Sequence, residues 1–133
     1  MDFLKINGRV YDVVVTAINE NFNILYGEGT GRTIAKGARM TLAPLGTFYG
    51  HKVTVKRKQG KEAEFDRLFM EISKPRYDGI PVEAVHNQTT ISYDAYISNG
   101  ARDLKWIDRS KGIVYWNEME INIIPMEAQV LPE

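Results

Sequence analysis

No cysteine occurs among the 133 residues, which removes disulfides, thiolate zinc sites, redox pairs and cysteine nucleophiles together. Histidine is nearly as scarce: only His51 and His86 are present, and neither has a second ligand at metal-binding spacing. Net charge is missing as well, because seventeen basic residues balance seventeen acidic ones, so the total does not indicate a strongly cationic nucleic-acid-binding domain. No apolar run approaches the roughly 18 residues of a membrane-spanning helix, and the opening MDFLKING is too short and too charged for a secretory signal. The expectation is a chain made in a cytoplasm, without membrane insertion. No internal repeat or low-complexity tract is visible.

What is present is strand patterning interrupted once. From Lys61 to Ser73 the apolar residues Phe65, Leu68, Phe69 and Ile72 fall at i, i+3, i+4 and i+7, one face of a 3.6-period helix. Glu62 and Glu64 suit the positive end of its dipole, Gly60 is a modest N-cap and Pro75 stops it. Long stretches on both sides alternate with period two. This order predicts a mostly β fold, a sandwich or barrel with one amphipathic helix at about 61–73 and a long Gly-rich arm, and it argues against βαβ enzyme architectures.

Phe3 to Ile6, Asn7-Gly8 and Arg9 to Val15 read as a hairpin, since Asn-Gly supplies the positive φ angles of a type I′ turn. Two strands, or one bent strand, continue to about Tyr26. Gly27 to Gly50 holds six of the eleven glycines and buries little, which predicts a long loop or extended hairpin arm. Thr47 to Lys58 resumes alternation, with Tyr49, Val53 and Val55 on one face and Lys52, Thr54, Lys56 and Lys58 on the other. Ile80 to Val85 and Thr90 to Ile97 are further strands, Asn99-Gly100 is a turn signal, Leu104 to Ile107 can pair, and Ile113 to Ile124 reads as one last strand. The expected organisation is one domain over 1–124, with a flexible arm at 27–46, followed by an extended tail at 125–133.

Candidate chemistry is thin. Gly27-Glu28-Gly29-Thr30-Gly31-Arg32 follows a strand, but no helix with Lys-Ser or Lys-Thr follows to cradle a phosphate, so a flexible arm is the better reading. Glu118 and Glu120, about 7 Å apart by strand rise, could form a carboxylate pair but fit better as an outward strand face. No triad spacing is informative, no catalytic, cofactor or metal residue is assigned, and a non-enzyme is expected. Charge distribution says more. Between Gly27 and Lys58 seven bases (Arg32, Lys36, Arg39, Lys52, Lys56, Arg57, Lys58) face Glu28 alone, and after Lys111 the chain carries Glu118, Glu120, Glu127 and Glu133 with no base. Such separation is either scatter or the means of head-to-tail self-assembly, with Arg32, Lys36 and Arg39 of the arm meeting Glu118 and Glu120 of another copy. In an alternative reading, a small β-barrel binds nucleic acid or a cell-surface glycan through the basic strand face, with Phe48, Tyr49, Tyr77 or Trp106 as stacking aromatics.

In this order the elements resemble the small tail proteins of long-tailed bacteriophages and prophages. The matching pieces are Phe3-Leu4-Lys5-Ile6-Asn7-Gly8, the arm from Gly31-Arg32 to Arg39, Val53-Thr54-Val55-Lys56-Arg57, the helix Glu62 to Ile72, and the closing Val114-Tyr115-Trp116-Asn117-Glu118-Met119-Glu120-Ile121-Asn122-Ile123-Ile124. The resemblance covers most of the chain as a pattern and contains no single diagnostic motif. It implies a tail-tube-like fold and a structural subunit of the tube, distal tail or baseplate. It further implies rings, commonly sixfold, with other tail proteins as partners, DNA as passing cargo only, no cofactor, and residence in the virion tail.

Overall fold

The computed structural model describes residues 3–32 and 37–133. Its elements in chain order are β1 (Leu4–Ile6), β2 (Val14–Tyr26), β3 (Gly31–Arg32), β4 (Met40–Thr41), β5 (Pro44–Lys56), α1 (Glu62–Ile72), β6 (Ile80–His86), β7 (Thr89–Tyr96), β8 (Leu104–Asp108), β9 (Ile113–Trp116) and β10 (Met119–Pro125). The mostly β, one-helix reading holds. Six strands form an antiparallel sheet in the order β1-β6-β7-β10-β5-β2, and β3-β4 and β8-β9 are separate two-stranded ladders.

Strand β10 joins two halves of the large sheet. Met119 to Ile123 pair with β5, whereas Ile124 and Pro125 pair with Tyr96 and Ala95 of β7. The halves fold toward each other around one core: Val53, Val55, Met119, Ile121 and Ile123 come from one, and Ile6, Ile80, Val82, Ala84 and Ala95 from the other. Helix α1 adds Phe65, Leu68 and Ile72, while Phe69 is half-buried at the margin. Burying one such aromatic contributes about 1.5–3 kcal/mol, so the amphipathic spacing is what anchors the helix to the sheet. Its N-cap is Lys61 rather than Gly60, with no side-chain cap; Ser73 closes it by donating its N–H to the Phe69 carbonyl at 3.1 Å.

Several boundaries differ from those read in the sequence. Asn7 and Gly8 do turn the chain with φ of 54° and 75°, but only Ile6 and Arg9 bridge across the turn. Strand β1 pairs with β6 and β2 pairs with β5, because burial of Ile6 in the core outweighs a local hairpin. From Val14 to Tyr26 the chain is one strand, bulged between Val15 and Ala17, and β5 begins at Pro44, inside the stretch read as arm. The last strand is two: β9 pairs with β8, the chain breaks at Asn117-Glu118, and β10 enters the main sheet. Asn99-Gly100 makes no left-handed turn; the β8–β9 turn is built instead on Asp108, whose carboxylate accepts from the Ser110 N–H and hydroxyl and the Lys111 N–H, with Gly112 at φ 66°.

The C-terminal segment is extended, but it also docks. Thr47 exchanges backbone hydrogen bonds with Gln129 and Val130, and the Gln129 amide side chain bonds both backbone groups of Tyr49 at 2.9 and 3.0 Å. Gly46 makes this approach possible: its φ is 148°, and a Cβ there would sit 2.6 Å from the Ala128 Cβ and 2.8 Å from the Val130 carbonyl oxygen.

Candidate assembly interface

The longest continuous feature is the ladder between β2 and β5, which runs from Val14 opposite Lys56 to Tyr26 opposite Pro44. At about 3.3 Å per residue, the thirteen residues of β2 span roughly 43 Å. The arm prolongs this ribbon as a hairpin. Gly27 N–H donates to the Ala43 carbonyl at 2.8 Å, the Thr30 hydroxyl accepts from Ala43 N–H at 2.9 Å, and Arg32 pairs with Met40 in the β3–β4 ladder.

Two properties make this ribbon a candidate interface. First, β2 is the edge of the sheet, so along one side its N–H and C=O groups have no strand partner among the described residues. Sheets normally protect such edges with Lys, Pro or outward charges. Strand β2 has one charged residue, Glu20, and its carboxylate is turned to His86 and His51. Second, the outer half of the ribbon is apolar and uncovered: Phe22 is 65 % exposed, and Ile24, Leu25, Tyr26, Leu42 and Leu45 are also exposed. Exposed apolar side chains contiguous along an edge mark an association surface.

Inside the sheet, the inner half of the ribbon is held by a polar cross-link. His51 is 0 % exposed; its Nε2 lies 2.8 Å from the Val85 carbonyl and its Nδ1 lies 2.7 Å from the Tyr93 hydroxyl. A carbonyl only accepts, so Nε2 carries a proton, and in the neutral ring Nδ1 then accepts from the Tyr93 hydroxyl. Burial pushes the Tyr93 phenol far above its ordinary value, with a smaller push from Glu20, and keeps it a donor. One Glu20 oxygen lies 3.2 Å from His51 Nε2 and 2.7 Å from His86 Nδ1. These bonds connect β2 and β5 with β6 and β7 across the core, and no buried side-chain polar atom among the described residues lacks a partner.

The residues read from the sequence as an interface are only partly brought together. Arg32 and Arg39 lie on the exposed arm, with Arg32 Nη1 3.4 Å from the Ala38 carbonyl; Lys36 lies outside the described residues. Glu118 is in the break between β9 and β10, so the strand-rise spacing to Glu120 does not apply. Glu120 is exposed on β10 and lies 3.6 Å from Lys52 of its own chain. The arm bases form no ion pair with Glu118 or Glu120 within the described residues. Sequence reading missed the β2 edge and the convergence of both histidines on Glu20. The available signal was a thirteen-residue strand with a single charge; the histidine cluster has no local signature because its members come from four strands.

Among the described residues no three His, Asp or Glu side chains are grouped to hold a metal, and no helix is long and apolar enough to cross a membrane. No protein-family model matches the chain, and no curated protein matches it.

Proposed function

We propose that this chain is a non-enzymatic structural subunit of a bacteriophage tail, placed in the tube, distal tail or baseplate, that assembles into rings through protein–protein contacts. The sequence resemblance points to this class, and the mostly β fold with one helix is compatible with it. The observation that carries the reading is the β2 edge: a long strand without outward charge whose outer half is apolar and exposed. A neighbouring copy that packs on this ribbon would cover apolar surface at about 25 cal/mol per Å² and satisfy the open backbone groups. DNA would be cargo, other tail proteins would be partners, and the virion tail would be the location.

In this arrangement Arg32 and Arg39 are available to steer a neighbour that presents Glu118 or Glu120. Electron microscopy and sedimentation of the concentrated protein test the proposal. Rings or tubes support it, and a monomer at every concentration, with and without other tail proteins, contradicts it. The double variant Arg32→Glu with Arg39→Glu should weaken association at low salt and differ less from wild type at high salt, because exposed pairs are screened beyond about 8–10 Å. Identical assembly at low salt would remove the arm bases from the interface.

A further inference from the structure

The β8–β9 hairpin stands outside the six-stranded sheet, and its first strand is irregular. Leu104 pairs with Trp116 and Trp106 with Tyr115, which leaves Lys105 as an extra, bulged residue. Adjacent residues of a regular strand point to opposite faces. Here Lys105 and Trp106 both line one groove, the re-aiming that a bulge produces. The opposite wall is Lys56, Arg57 and Lys58; these three consecutive bases reach the same groove because β5 ends at Lys56.

The groove encloses about 1010 Å³. Its aromatic wall is ordered: the Trp106 and Tyr115 rings stack at 5.2 Å with planes 14° apart, and the Arg57 guanidinium sits 4.6 Å from the Tyr115 ring centre. Trp106 is nonetheless 57 % exposed. The hairpin is fixed to the body by Arg102, which pairs with Asp66 at 2.7 Å and lies between the Phe69 and Trp116 rings at 4.1 and 4.2 Å. Four bases meet two carboxylates, Glu62 and Glu118. Arg57 is engaged by Glu62 at 3.6 Å and Lys58 by Asp12 at 3.0 Å, whereas Lys56 and Lys105 form no ion pair among the described residues.

We propose that this groove binds a short stretch of single-stranded nucleic acid, with one base stacked on Trp106 and flanking phosphates on Lys56 and Lys105. A flat exposed ring flanked by unpaired lysines fits an unstacked base between two phosphates. A duplex hides its base faces, and a chain of zero net charge offers no extended field to hold one. An acidic peptide would use the lysines and leave the ring unemployed. The inference does not depend on the ring-assembly reading, since the groove lies at the Val14–Lys56 end of the β2–β5 ladder, at the opposite end from the exposed apolar residues Phe22 to Tyr26.

Fluorescence anisotropy of the full chain with a labelled oligothymidylate tests it, beside a duplex of equal length, a polyphosphate and an acidic oligosaccharide. The oligothymidylate should bind most tightly. Its log K should fall with log salt at a slope of about −1.4, for two phosphates at about 0.7 each. Lys56→Ala with Lys105→Ala should bring the slope close to zero. Trp106→Ala should lose about tenfold or more in affinity with the slope unchanged, and Trp106→Phe should retain most of it. Circular dichroism checks that each variant is folded. The proposal is overturned by absent binding, by equal affinity in Trp106→Ala, by polyphosphate binding as tightly as the oligonucleotide, or by preference for the acidic oligosaccharide.

Discussion

The ladder between β2 and β5 is continuous, yet its two ends are stabilised differently. At the inner end His51, Val53 and Val55 are buried against β10 and the opposite half of the sheet, with Glu20 and His86 locking the strands across the core. At the outer end Phe22, Ile24 and Leu45 stay exposed, and the side of β5 away from β2 is met by the C-terminal segment at Thr47 and Tyr49. The β2–β5 ladder runs through both ends, but the second strand beside β5, β10, pairs with it only from His51 to Val55. The difference shows that hydrogen bonds hold a ribbon's shape, while burial decides which part belongs to the folding unit and which part is available to a partner.

The largest expected effect breaks the core that buries the inner end, through the helix packed in it. Phe65→Ala removes a side chain that is 1 % exposed and should destabilise the chain by about 3–5 kcal/mol. The matching change outside, Phe22→Ala, should cost less than about 0.5 kcal/mol in the monomer. Denaturant titration of both at low concentration measures the contrast, and equal losses would erase the distinction between the two ends.

Association should show the opposite order. Phe22→Lys places a charge on the uncovered edge and should suppress self-association while leaving the monomer transition within about 0.5 kcal/mol of wild type, since a lysine on an edge is a natural guard against pairing. Sedimentation velocity at several concentrations reads the effect. Assembly that survives this change would place the interface elsewhere.

A smaller effect concerns acid. Glu71 is held below its ordinary carboxylate value chiefly by the Asn7 amide at 2.7 Å, aided by Lys74 and Arg76. A depressed carboxylate contributes stability at pH above its unfolded value, and that contribution is lost as pH falls through the lower, folded value. Glu71→Gln should therefore lower stability near pH 7 and converge with wild type once pH falls below the lowered Glu71 value. This contact ties the β1 turn to α1, so the arm end of the ribbon should be unaffected. Thermal unfolding over a pH series distinguishes the two profiles.

The smallest effect is expected at Glu120. Both it and Lys52 are more than half exposed, and such pairs contribute about 0–1 kcal/mol, so Glu120→Gln should change monomer stability within experimental error. A loss comparable to that of Phe65→Ala would mean that the outer face of β10 is part of the folding unit.

Local spacing by itself determined much of this protein. The i, i+3, i+4, i+7 series from Phe65 to Ile72 specified the helix to within a residue at each end, and period-two alternation specified β6, β7 and the buried face of β5. Those signals are legible because a helix or strand must put its apolar residues on one side whatever it packs against. Tertiary structure alone decided partnership. Asn7-Gly8 could close a hairpin, but Ile6 is worth more in the core beside Val82 and Ala84, so β1 crosses to β6. The uniform alternation from Ile113 to Ile124 concealed a break, because Tyr115 and Trp116 pack with β8 and Arg102 while Met119 to Ile123 enter the core. His51, His86, Glu20 and Tyr93 converge from four strands, and the groove at Trp106 depends on a bulge and a strand end that no spacing announces. Contacts between residues distant in sequence depend on which surfaces the whole chain can bury together, and that choice is made only when the sheet closes around its core.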